Sequence, residues 1–340
     1  MIPTDKFNVH QWFQNNKRSL PWREEKTAYS VWVSEIMLQQ TRAAVVVPYF
    51  LRWMEAFPSI ETLAKAPLDR VIKFWEGLGY YQRARNLHEG AKEIATKHLG
   101  IFPKTLEELR QIRGIGPYTA NAILAFAYGE KCIPIDGNVK RVLARYFFLE
   151  EEITSRKMQK TLEHNGLLIE KESSDPLGEA LIELGALICT KKPACFACPL
   201  QSGCQAFAKK AQETVPRKKK KTVYERLERA VFLIEYKEQL LVKKNSAGVM
   251  QDLFEFPYVT WNKDFSLEAF CQDWGLVIKE SMRKPSVFHT FTKFRVTLYP
   301  WHLLLRKKPP TRSYNFRKKP ELRTLPFSSG HKKILEESLL

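Results

Sequence analysis

Hydrophobic positions in the first part of the chain recur at the spacing of amphipathic helices. Such runs, with apolar residues three and four apart and few strand-like alternations, occupy residues 31–57, 105–112, 118–129 and 178–189. The pattern therefore predicts an all-α domain over residues 1–212.

The pattern changes in the last third of the chain. Short runs rich in β-branched and aromatic residues occupy 229–236, 239–244 and 293–305, whereas residues 267–276 can form one helix. This mixture predicts an α+β domain over residues 227–340. Residues 306–320 are rich in Lys, Arg and Pro, and this composition predicts a mobile basic loop.

Between the two patterns, residues 213–226 contain a proline and five consecutive cations. These residues interrupt the apolar periodicity, so they predict a basic linker that lies near phosphates.

The composition of the chain indicates what kind of partner it binds. The chain has 340 residues, a net charge of +18 and 44% hydrophobic residues, so it can bury cores and still present an excess of cations. Nucleic acid is the polyanion that such a surface fits, although a basic surface that serves only solubility is the alternative. Residues 1–17 lack the features of an export signal, and no run is long enough to cross a membrane. We therefore expect a protein of the reducing cytoplasm.

Four of the six cysteines lie within residues 185–205. Cys189, Cys195, Cys198 and Cys204 follow a C-x5-C-x2-C-x5-C spacing. Disulfides, a zinc site and an iron–sulfur cluster are the three alternatives. A reducing compartment disfavours disulfides. A zinc site usually joins two close cysteine pairs, whereas four thiolates in one compact loop suit a [4Fe-4S] cluster better. The other two cysteines, Cys132 and Cys271, are expected in cores.

A turn between two predicted helices suggests how the chain binds a polyanion. Residues 113–116 read RGIG and are followed by Pro117, which suits the first turn of a helix. Gly114 and Gly116 allow a tight hairpin, and the next helix then presents unpaired N–H groups to a phosphate. The pattern is a helix-hairpin-helix, with an ordinary corner between two helices as the alternative.

These features occur in the order typical of the endonuclease III-like DNA glycosylases. The chain most resembles the MutY family of A/G-mismatch adenine glycosylases. The matching segments are LPWR (20–23), VWVSEIMLQQTR (31–42), WEGLGYYQRARNLH (75–88), GIGPYTANAI (114–123), DGNVKRVLAR (136–145) and EALIELGALIC (179–189). The resemblance implies removal of adenine from double-stranded DNA in which it is paired with 8-oxoguanine or guanine.

Breaking the bond between adenine and its sugar requires an acid that protonates the base and an anion that stabilises the cationic sugar. Glu35 stands among apolar residues, so burial should raise its pKa and make it the acid, with a solvated helix face as the alternative. Asp136 precedes Gly137 and could cap the next helix. The resemblance makes Asp136 the carboxylate that faces the sugar, assisted by Asn138 and Tyr118.

Tyr118 also predicts the type of reaction. In bifunctional relatives a lysine at this position attacks the sugar, whereas tyrosine cannot form a Schiff base. We therefore expect base removal without strand cleavage.

The resemblance further implies which residues contact the DNA. Adenine must be flipped out of the duplex, and the gap must be filled. The resemblance assigns the wedge to Gln40 and Tyr80, and support of the estranged base to Thr41 and Leu78. Its adenine pocket comprises Trp22, Arg23 and Glu179, and Lys191 and Lys192 in the cysteine loop are expected to meet phosphates. Glu183, one turn after Glu179, is expected to pair with an arginine.

The second domain resembles a Nudix fold that recognises 8-oxoguanine. Residues 248–258 match the family, but residues 267–276 lack the paired glutamates that hold magnesium in Nudix hydrolases, so we expect recognition without hydrolysis. The chain departs from the family in two places. The first cysteine spacing has five intervening residues instead of six, and Phe291 and Thr292 followed by Lys293 replace a Phe-Ser-His loop.

The resemblance thus predicts a monomeric bacterial repair enzyme of the cytoplasm, associated with the nucleoid and without a membrane partner. Three alternatives are a glycosylase and lyase acting on oxidised pyrimidines, a lesion-binding module without catalysis and a nucleotide pyrophosphohydrolase. Tyr118 disfavours the lyase, and the presence of both Glu35 and Asp136 disfavours a module without catalysis. The missing glutamates disfavour the pyrophosphohydrolase.

Overall fold

The computed structural model describes residues 1–171, 177–217 and 223–339, so residues 218–222 of the predicted linker lie outside the described residues. Packing divides the chain into two compact units. The first unit comprises residues 1–65 and 86–221, and the second comprises residues 66–85 and 222–340. No helix among the described residues combines the length and apolar character needed to span a membrane.

The chain up to residue 217 is helical, as the pattern predicted. Its helices are α1 (Pro3–Asn16), α2 (Ala28–Leu38), α3 (Ala43–Ala56), α4 (Ile60–Lys65), α5 (Leu68–Trp75), α6 (Gln82–Lys97), α7 (Leu106–Gln111), α8 (Pro117–Ala127), α9 (Gly137–Tyr146), α10 (Arg156–Lys171), α11 (Gly178–Leu187) and α12 (Gln205–Ala208). Short 3-10 helices at Pro21–Arg23 and Cys195–Ala197 complete this part.

Helix α2 lies at the centre of the first unit. Every residue from Tyr29 to Met37 is buried, which explains why this segment is apolar on all sides. The helical run over residues 31–57 is broken between α2 and α3, where Gln40 has a left-handed backbone with φ +58°. The expectation that Gln39 and Gln40 belong to a continuing helix was therefore wrong, because four consecutive polar residues form a turn there.

Helices α9 and α11 pack closely in the same unit. A Cβ at Gly185 of α11 would lie 2.6 Å from Cβ of Asn138, so only glycine allows this approach. Their apolar residues join α1 and the cysteine loop in one core, which includes Val9, Val142, Leu143, Leu181 and Leu184.

The C-terminal part folds as the predicted mixture of strands and helices. Its elements are β1 (Glu225–Tyr236), β2 (Gln239–Lys244), β3 (Phe254–Glu255), β4 (Tyr258–Thr260), α13 (Leu267–Trp274), β5 (Ile278–Arg283), β6 (Val287–Phe291), β7 (Phe294–Leu305), β8 (Asn315–Lys318), α14 (Lys319–Leu322) and α15 (Ser329–Leu339). The stretch over residues 306–320, expected to be a loop, contains β8, because its backbone pairs with β2.

The sheet follows the order β3-β2-β1-β7-β5, with β1 and β7 parallel. Alternate residues of β1 face opposite sides: Val231 and Leu233 pack towards α15, whereas Phe232 and Ile234 pack towards α13. Because both faces are covered, residues 230–234 of the strand are apolar without interruption.

The second unit also contains residues 66–85, which the sequence pattern had assigned to a helical domain over 1–212. The polar contacts of Glu76 and Arg85 with residues 251–332 explain this assignment. The domain boundaries drawn from the sequence remain a prediction.

Candidate active site

Glu35 projects from α2 in a nearly closed environment. It is 7% exposed, and Oε2 of its carboxyl group accepts a hydrogen bond of 2.5 Å from the hydroxyl of Tyr118. Burial raises the pKa of Glu35 to about 7, a rise that the Tyr118 hydrogen bond opposes and the negative charge of Asp136 supports. The side chain therefore exchanges a proton near neutral pH.

Tyr118 occupies the first turn of α8, where Pro117 begins the helix after Gly116. Burial, together with the neighbouring carboxylates, raises the pKa of the Tyr118 hydroxyl well above its ordinary value. The hydroxyl therefore stays protonated and remains a donor to Glu35.

Asp136 caps α9, as its position before Gly137 predicted. Oδ1 accepts hydrogen bonds from the backbone N–H groups of Asn138 and Val139 at 2.9 and 2.7 Å, and Oδ2 accepts one from Nδ2 of Asn138 at 2.8 Å. Burial raises the pKa of Asp136, but these three N–H donors oppose the rise because they stabilise the carboxylate.

The two carboxyl groups thus differ in their surroundings, although burial raises the pKa of both. Glu35 has one hydrogen-bond donor and lies in an apolar helix, whereas Asp136 has three donors at a helix N-terminus. A pair of acids whose surroundings separate their pKa values can divide the roles of proton donor and anion.

A cavity of about 490 Å³ in the first unit is lined in part by Arg23 and Glu179. Nε of Arg23 and Nζ of Lys26 donate to the two oxygens of Glu179 at 2.6 and 2.7 Å. The charges of Arg23 and Glu179 also act on the pKa of Glu35. Trp22 is buried, and its ring packs edge-on against Phe50.

Glu183 is ion-paired, which confirms the expected arginine contact. Arg18 donates from Nε and Nη2 to its two oxygens at 2.6 and 2.9 Å, and Arg23 adds a bond of 2.9 Å. Burial opposes ionisation of Glu183, but these hydrogen bonds outweigh it and lower the pKa to about 2. Glu183 therefore fixes Arg23, which in turn fixes Glu179.

All six cysteines are free thiols, and the four in residues 185–205 are close enough for their charges to act on one another. Burial raises the pKa of Cys198 to about 12, and the other three thiols add to this rise. Backbone N–H groups of Leu200 and of residues 206 and 207 point at the sulfurs of Cys198 and Cys204. In the part of the chain that the structure describes, no three His, Cys, Asp or Glu side chains are arranged to hold one metal ion.

These thiols fit a [4Fe-4S] cluster in number and in hydrogen bonding. A cluster binds one thiolate at each iron, and N–H groups directed at the sulfurs stabilise the bound thiolates. Nη1 of Arg145 lies 3.3 Å from Sγ of Cys189 and supplies a further donor. The stretch between Cys189 and Cys195 ends at a 3-10 turn over Cys195–Ala197.

Arg141 of α9 connects the cysteine loop with the candidate site. Nη2 donates to Oδ1 of Asn138 and to the carbonyl of Gly185 at 2.9 and 2.7 Å, and Nε donates to the carbonyl of Cys189 at 2.7 Å. Sequence reasoning missed Arg141, Arg18 and Lys26. For Arg141 the available signal was its position in DGNVKRVLAR, three residues after Asn138.

The residues expected to contact DNA lie in several turns. Gln40 and Thr41 are in the turn before α3 of the first unit, whereas Leu78 and Tyr80 are in a loop of the second unit. Leu78 is buried, but Tyr80 is 54% exposed and has φ +49°.

The helix-hairpin-helix has the backbone that its glycines predicted. Gly114 has φ +84°, and a Cβ there would lie 2.8 Å from Cβ of Asn86. A Cβ at Gly116 would meet nothing within 4 Å, so this glycine borders open space. In the cysteine loop, Lys191 and Lys192 are both exposed, and the backbone carbonyl of Lys192 accepts a hydrogen bond of 2.7 Å from the hydroxyl of Thr190.

Phe291 and Thr292 lie at the tip of the hairpin between β6 and β7. Phe291 pairs with Phe294 across a two-residue turn, and Thr292 is exposed with φ +45°. A β-branched residue rarely adopts this backbone, and such strain often accompanies a functional position. Lys293 pairs with Glu225 at 2.5 Å.

Comparison with known proteins follows the same division of the chain. Residues 33–166 match the profile of the HhH-GPD superfamily base excision DNA repair proteins, and residues 230–337 match that of the NUDIX domain. The first match runs through residues 66–85, so the family profile and the packing assign this segment differently.

Two curated relatives and one solved structure that resemble the chain are DNA glycosylases. An adenine DNA glycosylase of Buchnera aphidicola subsp. Baizongia pistaciae (strain Bp) is 37% identical over 73% of this chain and 72% of its own. The adenine DNA glycosylase of Buchnera aphidicola subsp. Schizaphis graminum (strain Sg) is 34% identical over 86% of this chain and 85% of its own. A thermostable thymine-DNA glycosylase has a similar structure, with a TM-score of 0.53 and 25% identity over 60% of this chain and 95% of its own. The identity and coverage of these relatives, together with the helix-hairpin-helix and NUDIX matches, show that the chain belongs to the adenine DNA glycosylase family.

Proposed function

We propose that this protein removes adenine from double-stranded DNA in which the adenine lies opposite 8-oxoguanine or guanine, and that it leaves the strand uncut. The observation that carries the proposal is the pair formed by Glu35, whose pKa is raised to about 7, and Asp136, whose carboxylate has three N–H donors. The names of the relatives support adenine as the base.

The reaction begins with proton transfer from Glu35 to the departing adenine. The bond between the sugar carbon and the base nitrogen then breaks, its electron pair leaves with the base, and the sugar becomes cationic. The Asp136 carboxylate stabilises this cation, and water supplies the hydroxyl group that completes hydrolysis. Asn138 holds Asp136 in position through its side-chain amide.

Tyr118 supports a reaction without strand cleavage. Its hydroxyl group is bonded to Glu35 and stays protonated, so it keeps the acid oriented and offers no amine for a Schiff base. The abasic product therefore leaves the active site with its backbone intact.

The cavity lined by Arg23 and Glu179 has the groups needed to bind adenine. Purines carry both donors and acceptors at their edges, which a carboxylate and a guanidinium can satisfy. Glu179 and Arg23 supply these groups, and the Arg18–Glu183 pair holds them in place. Trp22, which packs against Phe50, is assigned to the same pocket.

The flipped nucleotide requires contacts along the duplex. We assign the wedge to Gln40 and Tyr80, and support of the base opposite the gap to Thr41 and Leu78. The turn at Gly114 and Gly116 and the lysines Lys191 and Lys192 are assigned to phosphates. The substrate would bring the protein to the bacterial nucleoid as a monomer.

The C-terminal sheet is assigned to recognition of the damaged base. Phe291 and Thr292 lie at an exposed hairpin tip, where the ring can stack and the hydroxyl can donate a hydrogen bond. The helix α13 lacks paired glutamates, so no nucleotide hydrolysis is assigned to this part of the chain.

A [4Fe-4S] cluster would be held by Cys189, Cys195, Cys198 and Cys204. When bound, it would supply structural cross-linking of the loop that carries Lys191 and Lys192. Hydrolysis of the glycosidic bond transfers no net electrons, so the acid and the carboxylate account for the chemistry.

The test is single-turnover cleavage of a duplex with adenine opposite 8-oxoguanine, analysed with and without alkali. We expect strand breaks only after alkali, and their loss in Glu35→Gln. A duplex with an oxidised pyrimidine serves as the second substrate and should remain uncut. Breaks without alkali, cleavage of the oxidised pyrimidine or full activity of Glu35→Gln would each contradict the proposal.

A further inference from the structure

A buried carboxylate stands immediately before the loop assigned to the wedge. Glu76 ends α5, and its side chain is only 4% exposed. Residues 77–80, called the wedge loop below, follow it and end at the exposed Tyr80. A buried carboxylate is costly unless it is paired, so its partners indicate what it holds.

All the partners of Glu76 described here belong to the second unit. Oε1 accepts a hydrogen bond of 2.8 Å from the backbone N–H of Phe327. Oε2 lies 3.0 Å from Nζ of Lys73 and 2.8 Å from Nζ of Lys332. Lys73 also donates to the carbonyl of Leu325 at 2.9 Å. Glu76 therefore joins α5 to the segment that precedes α15.

That segment is itself tied to the sheet. The N–H of Phe254 in β3 donates to the carbonyl of Pro326 at 2.8 Å, and Phe254 and Phe327 form a parallel bridge. The backbone of Phe327 is thus bonded to Glu76 and lies directly beside an edge strand.

A second attachment follows the wedge loop. Nη1 of Arg85 donates to the carbonyl of Gln251 at 3.0 Å and lies 3.4 Å from the carboxylate of Asp252. Both side chains of this ion pair are largely buried, at 11% and 14% exposure. The wedge loop is therefore anchored to the C-terminal part of the chain on both sides.

Between the anchors, the wedge loop has several positive φ angles and is bonded to Arg83. Gly77, Gly79 and Tyr80 have positive φ angles of 105°, 70° and 49°. Nη2 of Arg83 donates to the carbonyls of Leu78 and Gly79 at 3.2 and 3.1 Å, and its guanidinium stacks on the ring of Tyr80 at 5.5 Å. Unstacking a base step costs a few kcal/mol, so a wedge needs a rigid base to resist the DNA.

We infer that Glu76 is a positioning residue that fixes the wedge loop to the C-terminal sheet through Phe327, so that extrusion of the target base depends on this attachment. The inference rests on the proposed function, because it takes Tyr80 as the wedge. It assigns Glu76 no contact with the substrate.

The test measures extrusion separately from bond cleavage. A duplex with 2-aminopurine in place of the target adenine, whose fluorescence rises on unstacking, is bound to protein carrying Glu35→Gln. Single-turnover adenine release is measured in protein that retains Glu35. Each assay compares Glu76→Ala, Glu76→Gln, Tyr80→Ala and the double variant Glu76→Ala with Tyr80→Ala. Glu89→Ala, which removes an exposed carboxylate, is the matched control.

We expect Glu76→Ala to slow extrusion and adenine release about ten-fold, which corresponds to about 1.4 kcal/mol. Glu76→Gln keeps an oxygen for the N–H of Phe327 and should restore most of the rate. The double variant should be no slower than Tyr80→Ala, because both changes act through one loop. Glu89→Ala should match the unaltered protein.

The inference would be overturned if Glu76→Ala slowed extrusion by the same factor in protein with Tyr80 and in the Tyr80→Ala variant. It would also be overturned if Glu76→Ala left the rate of extrusion unchanged. If Glu76→Ala fails to fold, Lys332→Met removes one partner and should slow extrusion about two- to three-fold; no change would overturn the inference. Absence of adenine release from the unaltered protein would instead refute the proposed function.

Discussion

Glu35 and Asp136 differ in reactivity because their hydrogen-bond donors differ. Glu35 receives one bond, from the hydroxyl of Tyr118, and is enclosed by α2. Asp136 receives three N–H bonds at the start of α9, where the helix end also favours negative charge. The same functional group can therefore serve as acid in one place and as anion in the other.

The proposed acid role of Glu35 predicts how activity changes with pH. Because the protonated form is required, single-turnover adenine release should fall about ten-fold per pH unit once the pH exceeds the Glu35 pKa of about 7. Tyr118→Phe removes a hydrogen bond that lowers this pKa, so the decline should begin at a higher pH. The measurement is the pH–rate profile of both proteins, and a decline beginning near the ordinary glutamate value would contradict the assignment.

The same pKa also predicts a dependence of stability on pH. The pKa of Glu35 is raised from 4.5 to about 7, so this group favours the folded state fully below 4.5 and progressively less as the pH rises through 7. The loss amounts to about 3 kcal/mol at 1.36 kcal/mol per pH unit. Glu35→Gln should lack this loss, so its advantage in urea unfolding should grow between pH 4.5 and 7. A constant difference across that range would contradict a buried, protonated Glu35.

At the scale of elements, the hairpin between α7 and α8 contains two glycines whose backbones and surroundings differ. Gly114 has a left-handed backbone and touches Asn86, whereas Gly116 has φ −86° and open space at the position of a Cβ. The first is required for the turn, and the second leaves room for a phosphate beside the N-terminus of α8.

These two glycines form a matched pair of substitutions. Gly114→Ala should lower the free energy of unfolding by more than about 1 kcal/mol, because it combines a positive φ with a 2.8 Å contact. Gly116→Ala should leave the unfolding free energy nearly unchanged and weaken binding of undamaged duplex. Thermal unfolding and fluorescence anisotropy measure the two effects. Equal stability losses, or unaltered duplex binding by Gly116→Ala, would contradict this division.

Helix α9 is also a connection between sites. Asp136 caps its first turn, Arg141 in the middle binds the carbonyls of Gly185 and Cys189, and Arg145 near its end reaches the sulfur of Cys189. The cysteine loop and the carboxylate of Asp136 are therefore supported by one rigid element.

At the scale of the whole molecule, the second unit takes residues from two distant parts of the sequence. Glu76 shows how these two parts are joined. Its carboxylate accepts a hydrogen bond from the backbone N–H of Phe327, which lies 251 residues later in the sequence. The stability of residues 66–85 should therefore depend on residues 223–340.

Truncation after residue 217 tests this dependence. In the full chain, Glu76→Ala should lower the unfolding free energy by about 1–3 kcal/mol, since it leaves a buried N–H and two ammonium groups without their acceptor. In the truncated chain, Phe327 and Lys332 are absent, so the same substitution should have little effect. Thermal unfolding of the four proteins measures the coupling, and equal effects in both backgrounds would contradict it.

The sequence by itself determined most of the elements and most of the residue types of the site. Local patterns sufficed for these, because apolar spacing reports which face of a helix is buried, Pro117 begins a helix, and Asp136 before Gly137 is a capping position. The helical and α+β parts and the arginine pairing of Glu183 followed in the same way. The assigned roles of the site residues remain predictions.

Only the tertiary structure decided which of these groups meet. Tyr118 and Glu35 are 83 residues apart, and their hydrogen bond depends on how α2 packs against α8. The turn at Gln40, the strand β8 and the partners of Arg141 and Glu76 also escaped sequence reasoning. The physical reason is that periodicity records whether a side chain is buried, whereas the identity of its partner is set by packing between elements that are distant in the chain.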